Sequence, residues 1–557
     1  MTRLVSLLIA LLTLAAVPAA RAAEDGFLMF GGPIHVGAVG GQANRPEALV
    51  VRGARIVFTG SLTLARAKAA GLPEIDLKGA AAYPGFIDSH VHLTGVGLRE
   101  MTLNLDQVTS VAGLVEAVMA WAAAHPGDGP IVGRGWIETH WPEGRFPTRA
   151  DLDAVAPDRP VVLERADGHA VVLNTAALRL AGVTRATPDP GGGRIERDAA
   201  GEATGMLIDN AMGLIAPKLP PLSFALRKEA LARGTALYAA RGWTHGVNMS
   251  TEAADLKALE DLAAEGRLPI RVDVFMTPED AGEVLRRGPY QDATGLVRVR
   301  GVKLYMDGAL GSRGAALLRP YADRPDTSGL LIAEHDATLA ILKQALKVRA
   351  QVAIHAIGDR GNRLALDWIA EAFASAPAAA AEVRLKAPWR IEHAQILDPA
   401  DIPRFADIGV VASMQPSHAI GDLYFAPARL GPDRLAGAYA WNSLYDAEAL
   451  LVGGTDAPVE VGDPRIEFYA AVARKDLQGR SGPDWHPEQA IDRPSALSAF
   501  TLTPTLVEGG DCGVLVKACP ADITVFSADI MTIPEADILT VKPVLTVVGG
   551  KIVHDGR

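Results

Sequence analysis

Asp88-Ser89-His90-Val91-His92 closes an apolar run, Ala81-Ala82-Tyr83-Pro84-Gly85-Phe86-Ile87. Side chains of an extended segment alternate between faces, so two histidines one residue apart point the same way and both imidazoles can reach one ion. Alone, the pair also fits two surface histidines, and its weight depends on the company it keeps further along the chain. Downstream, short β-rich runs end in residues of ligand type: 299–303 in Lys303, 351–355 in His355, 389–393 in His393 and 449–456 in Asp456. Residues 243–249, 270–276 and 410–414 also read as strands, with helix-like or loop stretches such as 337–348 between them. With the H-x-H strand they make eight, which predicts an α/β chain folded as a (β/α)8 barrel. Catalytic groups of such barrels sit at the C-terminal ends of the strands, where all the candidate ligands fall.

The rest of the chain is organised around that barrel. The 557 residues fit one barrel with an insertion and a companion domain, and 49% hydrophobic with 21% charged residues describes a globular chain with an ample core. A formal charge of −11, with no basic run, argues against a nucleic-acid partner. Residues 1–22 read as a secretory signal peptide: Arg3 supplies the positive start, residues 4–17 the apolar stretch and Ala20-Arg21-Ala22 the cleavage site. The apolar stretch is shorter than the ~20 residues of a spanning helix, so a periplasmic or secreted protein without stable membrane insertion is expected. Residues 23–82 and 506–557 alternate short β-rich runs with turns and are expected to pair as a discontinuous β-sandwich beside the barrel, residues 83–505. An insert of about residues 95–243 leaves the ligand end of the first strand and is expected to cover the pocket. It holds a helix-like stretch at 111–124 and a strand-like Val161-Val162-Leu163. Cys512 and Cys519 are compatible with a disulfide, but their spacing does not decide it.

The motifs resemble those of the metal-dependent amidohydrolases, and within them the YtcJ-like branch that includes N-substituted formamide deformylases. The resemblance rests on Pro84-Gly85-Phe86-Ile87-Asp88-Ser89-His90-Val91-His92, on Gly301-Val302-Lys303 leading to Asp307-Gly308-Ala309-Leu310-Gly311-Ser312-Arg313, and on His355-Ala356-Ile357-Gly358-Asp359-Arg360. Arg390-Ile391-Glu392-His393-Ala394-Gln395, Gly454-Thr455-Asp456-Ala457-Pro458 and, in the insert, Asp167-Gly168-His169 extend it over nearly the whole mature chain. It implies two divalent metal ions, with zinc foremost: His90, His92 and Asp456 hold one, His355 and His393 the other, and a carbamylated Lys303 bridges them. A free ammonium has no acceptor, so Lys303 must first become neutral, which burial favours, and then take up carbon dioxide. Residues 512–523 resemble the family's turn back into the small β-domain, but Ala518 departs from the glycine usual there, a position where positive φ suits glycine and not alanine.

The implied chemistry is hydrolysis by a metal-activated hydroxide, with Asp456 moving the proton to the leaving group. The absence of a Gly-x-Ser-x-Gly elbow or a strand-end cysteine disfavours a covalent intermediate. Taken singly, His355 or His393 reads as a hydrogen-bonded core histidine, Lys303 as an ion-pair lysine and Asp456 as a turn residue. Asp307, Arg313, Asp359 and Arg360 read equally as substrate contacts or loop ion pairs, and His169, Trp136 and Tyr424 as pocket walls or packing residues. The remaining histidines, His418 among them, receive no role. The substrate expected is a small molecule with an amide, formamide or cyclic amide bond. A mononuclear deaminase, an ester or lactone hydrolase, and a non-catalytic regulatory or binding protein are the alternatives; a second copy of the chain is an open partner.

Overall fold

The computed structural model describes residues 26–37, 45–166, 168–482, 484–510 and 512–557. The signal-peptide reading of residues 1–22 lies outside them. Among the described residues, no helix is long and apolar enough to cross a membrane.

Eight parallel strands follow one another around a barrel: Phe86–Val91, Trp243–Thr251, Arg271–Met276, Val297–Tyr305, Gln351–Ala356, Arg390–His393, Val411–Met414 and Leu451–Gly453. Strand one meets the end of strand eight through a bridge between Val91 and Ala457, where His92 N donates to Ala457 O at 2.8 Å and Asp456 N to His90 O at 2.7 Å. This closure sets Asp456 beside the two histidines of the first strand. Inside the barrel Ile87, Val247, Met249, Phe275 and Ala353 form an apolar cluster, while outward residues such as Val272, Val302 and Ile391 pack into the main core with the surrounding helices. Burial on both sides explains runs such as Gln351–Ala356, buried throughout, whereas the start of Val297–Tyr305 alternates buried valines with half-buried arginines.

The apolar run 81–87 is divided by the fold. Ala81–Pro84 pairs antiparallel with Ile523–Phe526, and the barrel strand starts only at Phe86. Gly85 makes the change of sheet, against Thr244: a Cβ there would lie 2.3 Å from Thr244 Oγ1. Ala81–Pro84 belongs to a four-stranded sheet with Ile523–Phe526, Pro543–Val548 and Lys551–Asp555. A second four-stranded sheet joins Arg55–Gly60, Ala48–Arg52, Gly26–Phe30 and Glu74–Asp76. The two sheets share a core that includes Met29, Leu49, Val51, Ile523, Val525 and Val547. Cys512 and Cys519 are joined by a disulfide with Cα atoms 5.7 Å apart, and Ala518 beside it adopts φ 77°.

Between the first two barrel strands the insert builds a six-stranded mixed sheet, in the order Gly193–Arg197, Ala203–Asp209, Ala170–Leu173, Val161–Arg165, Ile131–Trp136 and Leu103–Asn104. Its helix Val111–Ala124 starts where Ser110 Oγ accepts from Gly113 N at 3.0 Å, a side-chain cap that satisfies one free amide of the first turn. Two apolar clusters of its own hold the insert together. One edge of it reaches over the C-terminal end of the barrel.

Candidate metal centre

At that end lies a cavity of about 610 Å³, lined from the barrel by His90, His92, Lys303, Asp307, His355, His393 and Asp456, and from the insert by Arg134, Arg165 and His169. The alternation of the first strand brings the His90 and His92 rings to 5.4 Å between centroids. His90 Nε2 stands 3.3 Å, and His92 Nε2 3.2 Å, from Asp456 Oδ1. Lys303 Nζ is 3.5 Å from His90 Nε2. His393 lies 4.9 Å from the His90 ring and 4.5 Å from the His355 ring. Residues hundreds of positions apart thus converge because each ends a neighbouring strand.

The rings are held from behind. His90 Nδ1 donates to Glu392 Oε2 at 2.6 Å, which turns Nε2 toward Lys303 and Asp456. Glu392 is clamped by Arg390, whose Nε donates to Oε1 at 2.5 Å and whose Nη1 reaches Glu508 at 2.7 Å. Burial raises the Glu392 pKa, but Arg390 and the His90 hydrogen bond outweigh it and hold the carboxyl down at about 2. His393 Nδ1 donates to Gln415 Oε1 at 2.8 Å, leaving its other nitrogen for the cavity. Such outer contacts fix ring orientation and tautomer in metal sites.

Electrostatically the site is set for a cation. Burial lowers His92, His355, His393 and His418, the last to about 4, which favours the neutral imidazoles that metal ions bind. Burial pushes Asp456 up, but His90, His92 and His393 together hold it well below the ordinary carboxylate range. Lys303, 1% exposed, is brought down to about 8 by burial, against the pull of Glu392 and Asp456. Nε2 of His355 and of His418 are buried without a hydrogen-bond partner among the described residues. Unpaired buried nitrogens are costly unless something binds them, and neutral imidazoles around a carboxylate suit zinc, so the residues fit a divalent metal.

The other sequence candidates are dispersed. Asp307 is fully enclosed: its carboxylate accepts from the amides of Ala316, Ile357 and Gly358 at 2.8, 3.0 and 2.8 Å, and burial lifts its pKa to about 7. It lies 3.6 Å from His355 Nε2 and braces two loops of the cavity floor. His169 lines the cavity from the insert and bonds Asp209 through Nδ1 at 3.0 Å. Trp136 is no pocket wall: it sits in the insert core, with Nε1 donating to Leu163 O at 2.9 Å, because so large an apolar ring contributes more by burial there. Arg313 is a loop ion pair, 2.7 Å from Asp323, and is outside the cavity lining. Asp359 starts the helix Asp359–Ser375 and accepts from Leu318 N at 2.8 Å, and Tyr424 bonds Asp476. Asp167 falls outside the described residues.

Sequence reasoning missed Gln415 and His418. Both come directly after the seventh strand, Val411–Met414, at its C-terminal end, so the strand-end rule applied to that strand would have found them. Arg134 and Arg165, supplied by neighbouring strands of the insert sheet, carried no signal in the sequence.

The amidohydrolase family model (Amidohydro_3) matches residues 73–554, and the chain belongs to that family. It is 34% identical over 528 residues to YtcJ of Bacillus subtilis (strain 168), which carries an amidohydrolase name, covering 92% of this chain and 97% of that protein. To the N-substituted formamide deformylase of Arthrobacter pascens it is 25% identical over 532 residues, 91% of this chain and 95% of that one. A crystal structure of an uncharacterized metal-dependent hydrolase from Pyrococcus horikoshii OT3 superimposes with TM-score 0.74 at 28% identity, covering 92% of this chain and 99% of that one.

Proposed function

We propose that the protein is a metal-dependent hydrolase that cleaves the carbon–nitrogen bond of a small amide, formamide or cyclic amide. The observation that carries the reading is the convergence of His90, His92, Lys303, His355, His393 and Asp456 on one cavity. In this reading His90, His92 and Asp456 hold one divalent cation and His355 and His393 another. Divalent cations held there would supply an activated water and polarise a carbonyl oxygen. Lys303, with its depressed pKa, is prepared to lose a proton and add through Nζ to the carbon of carbon dioxide. After loss of a second proton to solvent, the carbamate so formed would be an anion whose oxygens could bind the divalent cations. Asp456 is held ionised beside His90 and His92, so its carboxylate would take the proton of the attacking water and return it to the leaving nitrogen. Arg134, Arg165 and His169 form the wall that the substrate faces from the insert. The formamide and amide preference is supported by the similarity to the deformylase.

The test is a hydrolysis screen of formamides, N-acyl amino acids, hydantoins and lactones with the metal-loaded and the metal-stripped protein. The reading requires turnover of at least one nitrogen-bearing substrate that vanishes on stripping and returns on reloading with zinc, cobalt or manganese. Activity confined to lactones would overturn the carbon–nitrogen assignment.

A further inference from the structure

His418 takes no part in the proposed hydrolysis, yet its surroundings are those of a ligand. It lies on the helix Pro416–Asp422, directly after the seventh barrel strand, and is 9% exposed. Its ring is nearly parallel to that of His393, 20° between planes and 5.9 Å between centroids. His418 Nε2 is 3.7 Å from Asp456 Oδ2 and 3.8 Å from Glu460 Oε1, too far for a hydrogen bond to either, and is left without a partner among the described residues.

The two oxygens of Asp456 divide the neighbourhood. Oδ1 faces His90 and His92, while Oδ2 faces His418. Among the described residues the three-residue groups whose donor atoms lie within 4.8 Å of one another are His90–His92–Asp456 and His393–His418–Asp456. His355 belongs to neither, its Nε2 being turned to Asp307 at 3.6 Å. Each carboxylate oxygen carries two lone pairs, so one carboxylate can serve both groups.

We propose that His418 is a metal ligand, joining His393 and Asp456 around the second cation position. The inference rests on the metal-binding reading of the cavity and adds a residue to it. Its geometric ground is the pairing of a buried, unpartnered nitrogen with a second imidazole and a free carboxylate oxygen on the side away from His90 and His92. Gln415 supports the same position, since its bond to His393 Nδ1 directs the remaining nitrogen of that ring to the cavity.

The experiment loads wild type, His418→Ala and His418→Gln with Zn²⁺ or Co²⁺ and measures metal per chain by elemental analysis, together with the chelator concentration that removes half of it. Circular dichroism reports the fold, and the glutamine variant keeps side-chain volume should the alanine variant not fold. The proposal predicts loss of metal from both variants at a chelator concentration lower by at least ~10-fold, with a changed Co²⁺ absorption band. Folded variants with the wild-type metal content, chelator midpoint and Co²⁺ band would overturn it. A wild type that binds no metal would instead refute the hydrolase reading on which it rests.

Discussion

Asp456 holds φ 55°, a left-handed conformation that aspartate and asparagine adopt more readily than most residues. That turn lets its amide bond His90 O while its carboxylate faces the histidines. His393 and Ala394 also have positive φ, 74° and 41°, so backbone strain gathers where the ligands do. Asp456→Asn keeps the shape and the tolerated φ but removes the anionic base. The variant should fold with an unchanged circular dichroism spectrum and lose at least ~100-fold in turnover of whichever substrate the screen yields. Near-normal turnover of metal-loaded Asp456→Asn would refute the proton-carrying role. At Ala518, by contrast, φ 77° serves no chemistry and strains an alanine. Ala518→Gly should raise unfolding free energy by about 0.5–1 kcal/mol in a urea titration, and a loss of stability would mean the strain has been relaxed elsewhere. The family resemblance marked Ala518 as an anomaly, because an alanine stands where the family pattern has a glycine. Nothing comparable marked His418, whose meaning depends on what stands across the cavity.

Elements differ in how openly the chain declares them. The eight barrel strands were legible because they are short β-rich stretches, several of them buried on both faces, and because several end in a residue of ligand type. The change of sheet at Gly85 was not, since 81–87 reads as a single run until Thr244 is seen to fill the space of a Cβ. Most of the insert sheet was hidden for a related reason: edge strands such as Gly193–Arg197 are half-exposed and glycine- and arginine-bearing, and only pairing makes them strands. Elements from the two chain ends are tied by Asp529, which accepts from Tyr83 OH at 2.9 Å and pairs with His35 at 2.8 Å. Burial raises its pKa, but these partners bring it from 3.8 down to about 2. A depressed carboxyl contributes stability that is present above its unfolded pKa and lost as pH falls through the folded one. The ionised contacts are therefore worth on the order of 2 kcal/mol near neutrality. Asp529→Asn should cost most of that at about pH 6, and the gap to wild type should hold to about pH 4 and then narrow as the pH falls towards about 2. A gap in unfolding free energy that does not change with pH would contradict this account.

For the whole molecule, the barrel brings six residues from the ends of five strands to one mouth, the insert roofs it, and the polar column Glu508–Arg390–Glu392 inside the barrel fixes His90 from below. In the proposed reading this mouth is a two-cation hydrolytic centre spanned by a carbamylated Lys303. A surface lysine lost from a protein changes stability by about 1 kcal/mol or less and metal content not at all, whereas a bridging anion lost from between two cations leaves them to repel each other across a cavity of low dielectric. The most direct measurement is metal per chain in wild type and Lys303→Ala, with turnover recorded on the same samples. Two ions are expected in wild type, one or none in the variant, and turnover abolished, with partial recovery when acetate or formate occupies the vacated place. Lys303→Ala that keeps two ions and full turnover would contradict it.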